Sequence, residues 1–429
     1  MNRLHAPGFV LLAGMALFAS SVCAQGKGNF ESAPAVAGSE LANSTLLSGA
    51  SHSVAQPVQI ENNFGRFVID AKVGKFSVLG VNMLGVRASE LQAIETLQKV
   101  QQDSAFTDAL AKSASQIAGF AKAAVTEPGQ TVENIGKGVG TVFGRLGYLA
   151  HSGANYVSDQ ASDLTSSDKK AKPQTKAAPQ GEPEPPSFIG DPLGYNMARR
   201  EWAKKLNIDP YTSNPVLRPL LNDAAAATFA GNFGVTATLG VVLIPIQYAY
   251  ELDDTVRQSV WNKPAVDLEK ENEAKLLDLG VAPRTVRELL RNKWFTPTLQ
   301  TALVTRLEVF GKMPGMEEVV TLAAATHGET RARFFLESLA MLANHHSKVE
   351  RFSRLKMSQI VPIGVTANKS IVVAVAIDYG TWDKDTAAFM QRSTFNAPKK
   401  TLLVAGKLSP LAQSNISKAG WQISTGLRK

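Results

Sequence analysis

The chain has 429 residues, 44% apolar and 19% charged, enough to bury two or three cores and too apolar to be disordered throughout. Its single cysteine, Cys23, falls in a predicted leader, which excludes disulfides, thiolate metal sites and a cysteine nucleophile from the mature chain. The formal charge of +8 suits anionic partner surfaces, a mildly basic envelope protein with a basic linker being the plainer reading; no basic helix with interleaved aromatics accompanies it, and nucleic-acid binding is not expected.

Residues 1–24 have the three-part layout of a secretory signal: Arg3, an apolar run over 9–18, then Val22-Cys23-Ala24 as a cleavage site. The apolar run is too short to span a bilayer. Cleavage after Ala24 and export to a bacterial periplasm, or beyond it, are expected. Residues 25–60, rich in Ser, Ala, Gly and Asn, read as a disordered leader.

An N-terminal α/β unit is expected over 61–157. Phe67-Val68-Ile69 and Phe76-Ser77-Val78-Leu79 flank Lys72-Val73-Gly74-Lys75 as a β-hairpin. Ser89, with Gln92 three residues on, reads as the capping box of a helix carrying Leu91, Ile94, Leu97 and Val100. A second helix carries Phe106, Leu110, Ile117 and Phe120. Gly136, Gly140 and Gly144 then recur every fourth residue, which on a helix makes a smooth groove for close helix packing or membrane insertion. A Gly-rich loop is the plainer reading of the same residues, because glycine weakens a helix.

Residues 158–188, dominated by Ser, Asp, Lys, Gln and Pro, form a disordered linker that holds Lys169, Lys170, Lys172 and Lys176. A central irregular helical bundle is expected over 189–355. Its helices fall at 197–206, after Asn214-Pro215, and at 267–279, 283–292, 297–310 and 329–352, with Thr296-Pro297 a strong start signal. Residues 224–250 carry no charge and read as a buried helix, with a membrane-inserting segment as the competing reading.

A small C-terminal α/β layer is expected over 356–429. Residues 371–377 (IVVAVAI) read as a doubly covered strand, paired with 360–365 across Asn368-Lys369. Helix 383–391, strand 401–405, a helix from Ser409-Pro410 and strand 421–424 follow, giving parallel crossovers. The predicted fold is therefore α+β and mainly α.

Chemistry is expected, if anywhere, at the carboxyl end of the 371–377 strand, where open parallel sheets take ligands. Asp378 and Asp383 are the candidate catalytic carboxylates, and Trp382 is the candidate ligand-stacking residue. Asp383 as a helix cap and Trp382 as packing are the plainer readings. Glu337 and His345 lie two turns apart on one helical stripe and His346 four residues before Glu350, but no HExxH occurs and a polar helix end is the plainer reading, so neither metal nor cofactor is expected. No nucleophile elbow or phosphate loop occurs. The expected function is non-catalytic binding in the periplasm, to an envelope protein or an anionic membrane surface. A periplasmic hydrolase with its site near Asp378, and a membrane-inserting protein using 131–150 and 224–250, are the alternatives.

Overall fold

The computed structural model describes residues 30–112, 194–231, 233 and 253–428. The predicted signal over 1–24, the linker and Gly136, Gly140 and Gly144 lie outside the described residues, as does most of 224–250. The protein is α+β and mainly α; among the described residues about 51% are helical against 19% in strands. Among the described residues no helix is long and apolar enough to cross a membrane.

The first sheet contains β1 (Ala35–Val36), β2 (His52–Val54), β3 (Val58–Glu61), β4 (Phe64–Ala71) and β5 (Gly74–Leu79). β4 is its spine: β3 and β2 pair antiparallel along it, and β5 completes the predicted hairpin. Every second residue of β4 is buried, so Phe67 and Ile69 enter one core with Val58, Leu84 and Leu91. β1–β3 correct the expectation of a disordered leader over 25–60. Each is only two to four residues long, too short to show a period, and takes its order from pairing within the sheet.

Asn62 and Asn63, both in the left-handed region (φ 49° and 68°), make the two-residue turn between β3 and β4. Asparagine tolerates that backbone, and such turns match the twist of the strands they join. The helix that follows, α2 (Val81–Val100; α1 is the single turn Ser44–Leu47), starts eight residues before the expected Ser89 cap. Ser89 lies inside it and donates to the Val86 carbonyl at 2.7 Å. Gly80, at φ 95°, turns the chain from β5 into α2 and offers no side-chain cap.

The helical part comprises α3 (Tyr195–Lys205), α4 (Leu217–Gly231), α5 (Asp254–Asn262), α6 (Ala265–Asp278), α7 (Pro283–Leu290), α8 (Pro297–Glu308), α9 (Met316–Ala324) and α10 (Glu329–Lys348). Local signals set several starts. Thr296 accepts from the Leu299 amide, and Asn214 accepts from the Val216 and Leu217 amides. α2 shares a core with α3 and α4 through Ile94, Leu97, Trp202, Leu217 and Leu221. The N-terminal unit is therefore built into the helical part.

The helix expected over 329–352 ends early, and a strand begins at Phe352, inside the stretch to 355 assigned to the helical bundle. α10 stops at Lys348, and Phe352–Ser358 forms β6. The His346 ring accepts from the Phe352 amide at 2.9 Å and closes the helix end. The second sheet runs β12-β10-β8-β7-β6, with β7 (Val361–Thr366), β8 (Ile371–Val375), β10 (Lys400–Val404) and β12 (Trp421–Ser424). β8, β10 and β12 are parallel, and the β7–β8 pair is antiparallel. The crossovers carry α11 (Lys384–Met390) and α12 (Pro410–Lys418), and a two-stranded extension, β9 (Tyr379–Gly380) with β11 (Lys407–Leu408), continues past the strand ends. Val372, Ala374 and Leu403 face the helical core, while Ile371, Val373, Leu402 and Val404 lie under α11 and α12 with Ala412 and Ile416.

Candidate functional site

Asp378 follows β8 at the carboxyl end of the parallel strands, and the chain's own N-terminal unit meets it there. Its side chain is wholly enclosed. Oδ2 accepts from the Gly65 amide at 2.9 Å and the Val81 amide at 3.0 Å. Oδ1 accepts from Arg428 Nη1 at 2.6 Å. The carboxylate thus supplies α2 with the N-terminal partner its own sequence lacks, and its charge faces the positive end of that helix. The Asn63 carbonyl completes the seam by accepting from the amides of Asp378 and Tyr379 at 3.0 and 3.1 Å.

Arg428 lies between two carboxylates. Besides Asp378 it reaches Glu337 of α10, with Nε to Oε1 at 2.7 Å and Nη2 to Oε2 at 3.2 Å. Burial works against its charge, yet Glu337 and Asp378 overcome that and hold its pKa above the ordinary arginine value. Burial pushes the Glu337 carboxyl up, and Arg428 draws it only part of the way back. The adjoining space is about 10 Å³, room for a single water and for no substrate. In this arrangement Asp378 is a positioning residue that fixes Phe64 and α2 against the C-terminal layer.

Asp383 is the N-cap of α11 and accepts from the Thr386 amide at 2.7 Å. Trp382 is partly buried against the C-terminal core, and its backbone pairs with Glu31 in both directions. The Glu31 carboxylate also accepts from the Ser409 hydroxyl at the start of α12. The edge where an open sheet would receive a ligand is therefore filled by residues 31 and 62–65 of the same chain. Among the described residues no group of three or more His, Cys, Asp or Glu side chains is placed to hold a metal.

A second carboxylate centre ties α2 to α10. Glu329 accepts from Arg333 at 2.8 and 2.9 Å, from Arg87 at 3.2 Å and from the Ser213 hydroxyl. Arg87 in turn pairs with Glu90 at 2.8 Å, which Asn214 and Thr212 also contact. Burial raises the Glu329 carboxyl, but the two guanidiniums prevail and hold it down at about 2.

Beside these networks an apolar cleft of about 380 Å³ opens where the three parts of the fold meet. Phe64, Phe334 and Phe389 wall it, and Val375, Ile377 and Leu402 lie along the sheet side. Phe64 and Phe334 meet edge to face at 6.0 Å. Its ionisable lining residues are Arg331, exposed in the first turn of α10, and Asp385, exposed in the first turn of α11. The volume and lining fit a small-molecule site, and sequence reasoning missed it because its walls come from residues 62 to 416. The one signal in the sequence was the strand-end rule, which pointed to this end of the sheet.

Comparison with known proteins finds no matching family model, no matching curated protein and no matching solved structure, so the functional reading rests on the cleft and the networks beside it.

Proposed function

We propose that this is an exported envelope protein that binds a small apolar ligand in the cleft and does not transform it. The observation that carries the reading is the cleft itself, apolar on its walls and sheet side and fringed by polar groups. Its ionisable lining residues, one arginine and one aspartate, do not make a nucleophile and base pair. Asp378, the candidate base, has both oxygens engaged and no room beside it for a substrate. Export is supported by the Arg3, apolar 9–18 and Ala24 pattern, and mature material should begin at Gln25 by N-terminal sequencing.

The test is saturable, one-to-one binding of an environment-sensitive apolar dye. Val375 is partly exposed and lines the cleft, so Val375→Trp should fill it and weaken dye binding roughly tenfold or more. Thermal unfolding of the variant should stay near that of the parent. Absence of saturable binding by the parent, or equal binding by both proteins, rules out the cleft as the binding site.

A further inference from the structure

We infer that the ligand of this cleft is an anionic single-chain amphiphile, a medium-chain carboxylate, seated with its tail on the apolar side and its head at Arg331. The inference rests on the reading of the cleft as a binding site and adds the chemistry of what enters it. The volume sets the scale: at about 30 Å³ per water in the liquid, 380 Å³ takes at least a dozen water-sized groups. That suits an alkyl chain with a compact head and is small for a folded peptide segment. The aromatic rings of Phe64, Phe334 and Phe389 and the aliphatic sheet side offer a tail no hydrogen-bonding demand.

The head group follows from the charges at the rim. Asp385 lies in the first turn of α11, where the positive helix end matches its charge. Arg331 lies in the first turn of α10, where the helix end repels it. Among the described residues no carboxylate pairs with Arg331, whereas its neighbours Glu329 and Arg333 satisfy each other. The rim therefore offers a guanidinium with no carboxylate partner beside an apolar cleft, and a planar carboxylate matches a guanidinium in two parallel hydrogen bonds.

Octanoate, octan-1-ol and octylammonium, titrated calorimetrically into the purified chain at neutral pH and low salt, separate the head from the tail. Octanoate should bind roughly tenfold more tightly than octanol, as a partly desolvated charge-assisted pair would give. Arg331→Gln should bring the two to parity, while Arg331→Lys should keep most of the preference. Arg331 is exposed and unpaired, so these variants should fold as the parent does. Equal binding of octanoate and octanol by the parent overturns the carboxylate assignment and leaves the apolar binding reading standing. Tightest binding of octylammonium assigns the rim to Asp385 and overturns it as well. Binding of none of the three removes both readings together.

Discussion

Replacing Arg428 with methionine should destabilise the protein by about 3–5 kcal/mol, the usual cost of stranding a buried charge. The side chain is 7% exposed and lies between Asp378, fully enclosed, and Glu337, 8% exposed. Removing the guanidinium leaves two carboxylates facing one another with no counter-charge. Burial already raises the Glu337 carboxyl and Arg428 draws it back, so without the guanidinium its pKa in the folded variant lies further above that of the unfolded chain. A group shifted upward in this way contributes stability at low pH that is lost as pH rises. The deficit of Arg428→Met should therefore be largest near pH 8 and shrink towards pH 4, read from urea unfolding midpoints at each pH. Adding Glu337→Gln to Arg428→Met should restore part of the loss, because only one carboxylate is then stranded. A deficit below about 1 kcal/mol, or one independent of pH, would show that the three groups do not act as a buried network.

The second large effect belongs to Glu329 and has the opposite sign in pH. Its carboxyl is held at about 2, against an ordinary value of 4.5, by Arg333 and Arg87 acting over the cost of burial. A carboxyl shifted downward contributes stability that is complete above its unfolded value, near pH 4.5, and is lost as pH falls towards 2. The shift is worth about 3 kcal/mol at neutral pH. Glu329→Gln should accordingly cost about that much at pH 7, and the gap between parent and variant should close between pH 4.5 and 2. Comparing the two proteins at each pH isolates this group from the other carboxylates. A gap that stays constant through that window would place the stabilisation elsewhere.

How much of this could be read in the chain depends on how local each cause is. The C-terminal layer was legible because its signals are short-range: the unbroken run of Ile371 to Ile377, the Asn368-Lys369 turn, and the Ser409-Pro410 start of α12. Strand β6 was not, because a register shift between Phe352 and Arg354 breaks its alternation and leaves a pattern that continues the preceding helix. The start of α2 was hidden for a different reason. Its cap, Asp378, lies 297 residues further along, and no window of local sequence contains both. The cleft is hidden in the same way, since Phe64, Phe334 and Phe389 become neighbours only after three separate elements have docked. Asp378 attracted notice as a carboxylate at a strand end, and the structure places it against backbone amides of the first sheet.

The hydrogen bond from Gly65 to Asp378 spans 313 positions, and the one from Ser409 to Glu31 spans 378. Together with the core that α2 shares with α3 and α4, these contacts tie the first sheet and α2 to the helical part and the C-terminal layer. Because both bonds join residues more than three hundred positions apart, the first sheet and the C-terminal layer should lose their order together on unfolding.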